Sequence, residues 1–396
     1  MENSFVVNSA RGKSNKAFMI LSALGIIFVV DAHLYSRMSF FTQVFPYDSF
    51  FMPMFIFISG YFFKEKNIES MESVVGFVKN KVSKLLLPYF GWIAFYGVLT
   101  YVLTEIGILN YQKWEFVPLI KNIFFQGTSF GLNSPSWFVP ILFIVSVIYL
   151  FARKIFNRIW NELIAMAVLF TLGTVAIYFS SQSTLTEFKL LTAKTFFFLQ
   201  FYELGIFFKK YIEKWFDKIN TLVLLSVCIC INLVLISIYG TNINFPSCAF
   251  MVGFRTNNVF LPMITTLTGT AFWLKISKLA APLLGDNKVV NFISDNTFFI
   301  MTHHLTAKAL FNGLLIIGKK FGIEGFAGVN AVEFKNSAWY VFSSVQWVWT
   351  AGFFFTVVVT LTACFFYSNG KSLLKKQVVK ITQKIGAQKE YKTVDS

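Results

Sequence analysis

The chain has 396 residues, of which 56% are hydrophobic, 19% aromatic and only 14% charged. Soluble domains contain roughly 25% charged residues, so this composition excludes an ordinary water-soluble globular protein. The formal net charge of +16 would suit a nucleic-acid-binding protein, but the basic residues lie between apolar runs and not on one soluble face. We therefore expect no nucleic-acid partner.

Apolar runs of about 20 residues recur along the chain and predict an all-α, polytopic bundle of membrane-spanning helices. The chain divides into a cytoplasmic N-terminal segment 1–16, a membrane domain 17–367 and a basic cytoplasmic tail 368–396. About ten spans are predicted, at 17–35, 47–63, 85–107, 136–152, 161–180, 195–208, 220–239, 256–274, 293–316 and 346–367.

The distribution of basic residues predicts the orientation of these spans. Most of the 35 lysines and arginines lie in segments that are inside if the N-terminus is inside. Cytoplasmic loops are enriched in lysine and arginine, so we expect both termini in the cytoplasm. The high content of phenylalanine and lysine suggests an AT-rich bacterial genome, so we expect a multi-pass protein of a bacterial plasma membrane, surrounded by membrane lipid.

The first candidate site lies in the run 26–37, where Asp31 and His33 interrupt otherwise apolar residues and Arg37 follows one turn after His33. Ionisable side chains inside a span cost a few kcal/mol each, so they persist mainly where they have a function. Imidazole gains and loses a proton near neutral pH, which makes His33 a candidate catalytic group. Arg37 is a candidate ligand for an anionic group or an interfacial anchor.

The second candidate site lies in the ninth predicted span, which contains Asn296, His303, His304 and Lys308. The spacing of four places His304 and Lys308 on one face of a helix. The adjacent His303 and His304 cannot face the same neighbour, so one is expected to be catalytic or ligand-binding and the other structural. No zinc motif is present, and the cysteines have no metal-ligand spacing, so we expect no metal.

Three further residues are candidate substrate contacts. Glu203 lies inside an apolar run and is expected to pair with a histidine or with Arg255, or to mark a proton path. The structural alternative is a buried helix-to-helix hydrogen bond. The guanidinium of Arg255 suits a phosphate or a carboxylate. Trp137 is expected at the membrane interface, where aromatic rings concentrate.

Several stretches resemble membrane-bound acyltransferase family 3, and within it the fucose 4-O-acetylase-like and capsular polysaccharide O-acetyltransferase branch. In chain order, these stretches are GIIFVVDAHLY, FFMPMFIFISGYFFK, SWFVPILF, YELGIFFKKY and NFISDNTFFIMTHHL. The resemblance covers about residues 16–367 and places the family histidines on His33 and His304. Many members have a basic residue eleven positions before the first histidine, where this chain has Ser22.

The resemblance implies transfer of an acetyl group from acetyl-CoA to a sugar hydroxyl of a surface glycan or its lipid-linked precursor. No permanently bound cofactor is implied, and the oligomeric state is left open. His33 is expected to act as a base or as a transient acyl carrier, with His304 as a second catalytic or positioning residue. The expected substrate contacts are Arg37, Trp137, Glu203, Arg255, Asn296 and His303.

A proton-coupled glycan transporter or flippase is the rival interpretation. Ten spans with ionisable residues inside them also suit such a protein, although no internal repeat is evident in the sequence. A structural membrane scaffold is a third possibility, but it does not explain the ionisable groups inside the spans.

Overall fold

The computed structural model describes residues 13–34, 44, 49–110, 116–126, 130–239, 258–322, 326, 329–338 and 346–394. Within these residues all regular structure is helical, which confirms the all-α class. In chain order the α-helices are α1 Lys13–Leu34, α2 Phe51–Tyr61, α3 Met71–Lys81, α4 Leu87–Glu105, α5 Phe116–Lys121, α6 Phe138–Ile155, α7 Glu162–Gln182, α8 Glu187–Phe207, α9 Glu213–Lys218, α10 Thr221–Tyr239, α11 Leu261–Leu284, α12 Lys288–Asp295, α13 Thr297–Lys320, α14 Ala331–Ser337 and α15 Gln346–Val394.

Short irregular helices connect or extend these elements. A 3₁₀ segment at Gly131–Trp137 leads into α6, and another at Glu65–Ile68 precedes α3. π-helical turns at Val82–Leu86 and Phe208–Ile212 join α3 to α4 and α8 to α9. The chain therefore passes from α3 to α4, and from α8 to α9, with no intervening loop.

Polar residues cap several helices and so fix where they begin. The side-chain oxygen of Asn161 accepts hydrogen bonds from the backbone N–H groups of Leu163 and Ile164 at 2.9 and 3.1 Å, at the start of α7. Asn287 caps α12 in the same way. Such caps satisfy N–H groups that have no partner within the first turn.

Helices lie at all ten predicted spans, but they are not alike. Among the described residues, six helices are long and apolar enough to cross a membrane. The predicted span 47–63 corresponds to α2, which has 11 residues and is only about 16 Å long, against a hydrocarbon core of about 30 Å. The remaining three spans correspond to α8, α11 and α13, which contain charged residues. The count of ten and the orientation stay predictions.

Helix α1 lies at the centre of the bundle. Its apolar window is 78% buried, whereas that of α10 is only 11% buried. It contacts α2, α11, α12, α13 and α15. Because neighbours surround it, a polar side chain on α1 faces protein and not lipid.

Two glycines allow α2 and α8 to approach closely. A Cβ atom built on Gly60 would overlap the backbone carbonyl of Tyr202, and one built on Gly205 would overlap the backbone carbonyl of Phe57. The two backbones are therefore in direct contact, as at the small-residue interfaces of many membrane helix pairs. This contact fixes α8 against the short helix α2.

The described parts of the loops predicted to be inside, between residues 62 and 288, lie at one end of the bundle, which we call the lysine-rich end. Here α1 and α7 begin, and α2, α6, α8 and α11 end. Lys16 pairs with Asp286 at 2.5 Å, and Arg153 pairs with Glu162 at 3.0 Å. Glu162 also accepts a hydrogen bond from Lys210 at 2.9 Å. The assignment of this end to the cytoplasm rests on the positive-inside rule and stays a prediction.

Candidate active site

His33 lies in the last turn of α1, at the end of the helix opposite to the lysine-rich end. Its Nδ1 atom is 2.7 Å from the carbonyl oxygen of Val29, one turn earlier. A carbonyl only accepts hydrogen bonds, so Nδ1–H is the donor and Nε2 keeps its lone pair in the neutral ring. The backbone of α1 thus fixes the tautomer in which Nε2 is a base.

His304 lies in the second turn of α13 and is fully buried. Its Nδ1 atom is 3.1 Å from the carbonyl oxygen of Ile300 and is held like that of His33. Its Nε2 atom has no hydrogen-bond partner among the described residues. A buried polar atom without a partner is costly, and at functional sites such atoms commonly face the ligand position.

The two histidines form a pair between α1 and α13. Their ring centroids are 5.0 Å apart and the ring planes are inclined at 65°. Because the Nδ1 atoms are occupied by the backbone, both rings can offer only Nε2 to a substrate or to each other. Two imidazoles in this arrangement can accept a proton and pass it on, which is the chemistry of general acid–base catalysis.

Lys308 connects α13 to the end of α1. Its ammonium group donates a hydrogen bond of 3.1 Å to the carbonyl oxygen of His33, and its side chain is buried. The last carbonyls of a helix have no partner within the helix, and a cation at this terminus is stabilising. Lys308 therefore holds the turn that contains His33.

His303 points away from this pair, towards α4. Its Nδ1 atom is 2.7 Å from the hydroxyl oxygen of Tyr96. Its ring centroid lies 4.2 Å from that of Trp92 and 4.1 Å from that of Phe299. The two adjacent histidines thus face different helices, and His304 alone of the two contacts His33.

Asn296 and Trp137 have other neighbours. The amide group of Asn296 donates a hydrogen bond of 2.8 Å to the carbonyl oxygen of Phe292, at the junction of α12 and α13. Trp137 is buried within the bundle: its ring packs 6.3 Å from that of Phe198, and the ammonium of Lys194 lies 4.9 Å from its centroid. Substrate binding by Asn296 and Trp137 stays a prediction.

Glu203 accepts a hydrogen bond of 2.5 Å from the hydroxyl of Tyr149 on α6, so its observed partner is a tyrosine and not a histidine. Glu203 lies near the lysine-rich end. Tyr202, the residue before it, contacts Gly60 on α2. Tyr61, the residue after Gly60, has its ring centroid 4.0 Å from that of Phe18, near the start of α1. His33 is 15 residues further along α1 than Phe18, or about 22 Å. The structure does not bring Glu203 to the histidine pair.

Arg37 and Arg255 lie outside the described residues, so their predicted roles stay predictions. Ser22 lies on α1 three turns before His33, and on the same side of the helix as His33. It is buried, and its hydroxyl group has no hydrogen-bond partner among the described residues. No basic residue occupies the position where the resembled family often has one.

A family model described as an acyltransferase domain matches residues 17–368 of this chain. The chain belongs to acyltransferase family 3. No curated protein and no solved structure showed a significant match. The match confirms the resemblance at the level of the family, while the fucose and capsular branch stays a prediction.

In this acyltransferase, Lys308 could be linked to the site from the sequence only by its spacing of four residues from His304. That spacing places the two on one face of α13, but it does not show that the ammonium reaches α1. Tyr96 and Trp92, which enclose His303, had no signal in the sequence, because nothing in α4 marks which face meets α13. Pairing between distant helices depends on how each is rotated in the bundle.

Replacing Lys308 of this acyltransferase with methionine is expected to lower the rate of acyl transfer roughly tenfold. Hydrogen bonds from charged donors contribute about 1.5–3 kcal/mol, and without this bond the last turn of α1 is free to move His33. The measurement is the initial transfer rate of the purified protein. The matched control is Lys319→Met, because Lys319 makes a similar 2.8 Å bond to the carbonyl of Val329 far along the same helix. Equal losses in both variants would contradict a specific role for Lys308.

Proposed function

We propose that this protein is an integral membrane O-acetyltransferase. It transfers an acetyl group from acetyl-CoA to a sugar hydroxyl of a surface glycan or of its lipid-linked precursor. The family supports acyl transfer, and the observation that supports histidine catalysis is the pair His33–His304, whose free Nε2 atoms lie inside the helix bundle.

The reaction needs a base, because a sugar hydroxyl is a weak nucleophile at neutral pH. In the proposed mechanism, Nε2 of His33 removes the hydroxyl proton as the oxygen attacks the thioester carbonyl. The C–O bond forms, the C–S bond breaks, and the proton passes from His33 to the leaving thiolate. His33 as a transient acyl carrier is the alternative, in which the acetyl group is bound to Nε2 between the two steps.

His304 and Lys308 have supporting roles in this mechanism. Nε2 of His304 either accepts the proton from His33 or orients the acceptor. We assign Lys308, which donates a hydrogen bond to the backbone carbonyl of His33, the role of favouring negative charge on the carbonyl oxygen as the tetrahedral intermediate forms. We propose no permanently bound cofactor, since a thioester is already an activated acyl donor.

The position of the pair has a consequence for the donor. Acetyl-CoA is cytoplasmic, and in the proposed orientation the lysine-rich end faces the cytoplasm. From Lys16 to His33, α1 rises about 25 Å. We propose that the thioester arm of the donor enters between the helices to reach His33, and that the acceptor hydroxyl approaches from the opposite side.

The proposed function is tested by the O-acetyl content of the surface glycan, measured by proton NMR in a deletion strain. The acetyl ester signal is expected to disappear on deletion and to return with the wild-type gene, while the amount of glycan stays constant. A strain that instead loses the glycan itself, with esters retained on what remains, would indicate a transporter and would exclude the proposed reaction.

A further inference from the structure

A cavity of about 680 Å³ lies at the lysine-rich end, on the side of α1 that faces α11. The start of α1, the π-helical turn Phe208–Ile212, α9 and the end of α11 enclose it. Its volume falls within the range of small-molecule sites. Five lysines from these elements converge on it, namely Lys16, Lys209, Lys214, Lys275 and Lys278.

Positive charge exceeds negative charge in this cavity, because its lining contains only two carboxylates, Glu213 and Asp217. Both of them bind the same lysine, Lys278, at 2.7 and 2.8 Å. Lys209 and Lys214 form no ion pair with a described carboxylate, and both are exposed. They are therefore available to an anionic ligand.

Lys275 is a structural part of the cavity wall. Its side chain is buried, and its ammonium group donates hydrogen bonds to the carbonyl oxygens of Phe216 and Ile219 at 3.0 and 2.8 Å. These carbonyls lie at the end of α9, where a cation is favoured. Lys275 thus fixes α9 against α11 and holds the cavity wall in place.

Large exposed apolar side chains lie on the helices that line the cavity, at lining positions or next to them in the chain. Leu279 and Leu283 of α11 are 64% and 85% exposed, and Leu222 of α10 is 75% exposed. Trp215 of α9 is 66% exposed beside the lysines. A cationic cavity next to exposed leucines and a tryptophan is what a lipid head group and its acyl chains would contact at a membrane surface.

The cavity is separated from the histidine pair by close packing between α1 and α11. Ala17 and Ile20 of α1 form a buried cluster with Ala281 of α11. Further along α1 towards His33, the ring centroids of Phe28 on α1 and Trp273 on α11 are 4.7 Å apart. His33 lies about 25 Å from Lys16 along α1 and projects from the side of the helix that faces α13. These contacts fill the space between α1 and α11 at two levels between the cavity and the reacting atoms.

We propose that this cavity binds the phosphate of an anionic phospholipid from the leaflet at the lysine-rich end. The head group lies among the lysines. Its main contacts are Lys214 and Lys209, which pair with no described carboxylate, although the ammonium of Lys209 also lies 5.2 Å from the centroid of the Tyr61 ring. The acyl chains lie along Leu279 and Leu283. Binding of this lipid stabilises the junction of α9, α11 and the start of α1. The proposal does not depend on the proposed reaction, because lipid binding needs no acyl transfer.

The test measures lipid retained by the full-length protein in neutral detergent, by native mass spectrometry. Dioleoylphosphatidylglycerol and dioleoylphosphatidylcholine are added separately at equal mole fraction. The double variant Lys209→Ser with Lys214→Ser is compared with Lys64→Ser with Lys66→Ser, whose lysines are exposed at the same end but outside the cavity. Phosphatidylglycerol binding is expected to weaken roughly 25-fold in the cavity variant only, since each lysine near a membrane surface contributes about 1 kcal/mol.

Three results would overturn the proposal. The wild type would show no preference for phosphatidylglycerol over phosphatidylcholine, or the cavity variant would keep the wild-type preference. The third result is that added coenzyme A or inorganic phosphate displaces the bound lipid and binds to the wild type but not to the cavity variant. That result would assign the cavity to a soluble phosphate ligand. The single variant Lys214→Ser, at an exposed position, replaces the double variant if the latter loses its fold.

Discussion

Replacing His33 or His304 with alanine is expected to lower the rate of acetyl transfer by about 100-fold or more. A positioned general base contributes about 10²- to 10⁴-fold to such reactions, and each of the two rings has a free Nε2 atom at the pair. The measurement is the initial rate of acetyl release from acetyl-CoA with the acceptor glycan present, using purified protein of confirmed fold.

The chain offers a matched control in His303, which is adjacent to His304 but faces Tyr96 and Trp92. His303→Ala is expected to reduce stability and to leave most of the transfer rate, because its ring does not contact His33. If His303→Ala lost as much activity as His304→Ala at equal stability, the pair would not be the reacting centre. If His33→Ala kept the wild-type rate, the proposed mechanism would be wrong.

Much of the fold could be predicted from the sequence, because each membrane span corresponds to a long apolar run of residues. A helix lies at each predicted span, even at α2, which is too short to cross the membrane alone. The sequence did not show that α2 is closely packed against α8. That contact depends on two glycines far apart in the chain, Gly60 and Gly205, and no local pattern marks which glycines meet.

The candidate site could be predicted only in part. His33 could be identified as a candidate from the sequence, because an imidazole inside a membrane span costs free energy and is retained mainly for function. The spacing of four residues showed that His304 and Lys308 lie on the same face of a helix. What the sequence could not provide was the rotation of α13, which decides whether His303 or His304 meets α1. Similarly, the partner of Glu203 proved to be Tyr149, because the nearest polar group on a neighbouring helix is set by packing and not by residue type.

Replacing Gly60 with alanine is expected to destabilise the protein by about 3 kcal/mol or more. The added methyl group would overlap the backbone carbonyl of Tyr202, which cannot turn away as a side chain can. Overpacking of a filled core typically costs about 1–3 kcal/mol, and a clash with backbone lies at the upper end of that range or beyond it. Gly60 has no positive φ angle, so the cost arises from the clash alone.

The measurement is the midpoint of thermal unfolding in detergent, where a fall of about 5 °C or more is expected. Gly205→Ala should give a similar loss, since its methyl group would meet the backbone of Phe57 and Tyr61 from the other side of the same contact. Gly91→Ala is the control: Gly91 is exposed on α4 with no atom within 4 Å of an added Cβ, so that variant should be neutral or slightly more stable. Wild-type stability of Gly60→Ala would mean that α2 and α8 do not approach as closely as described.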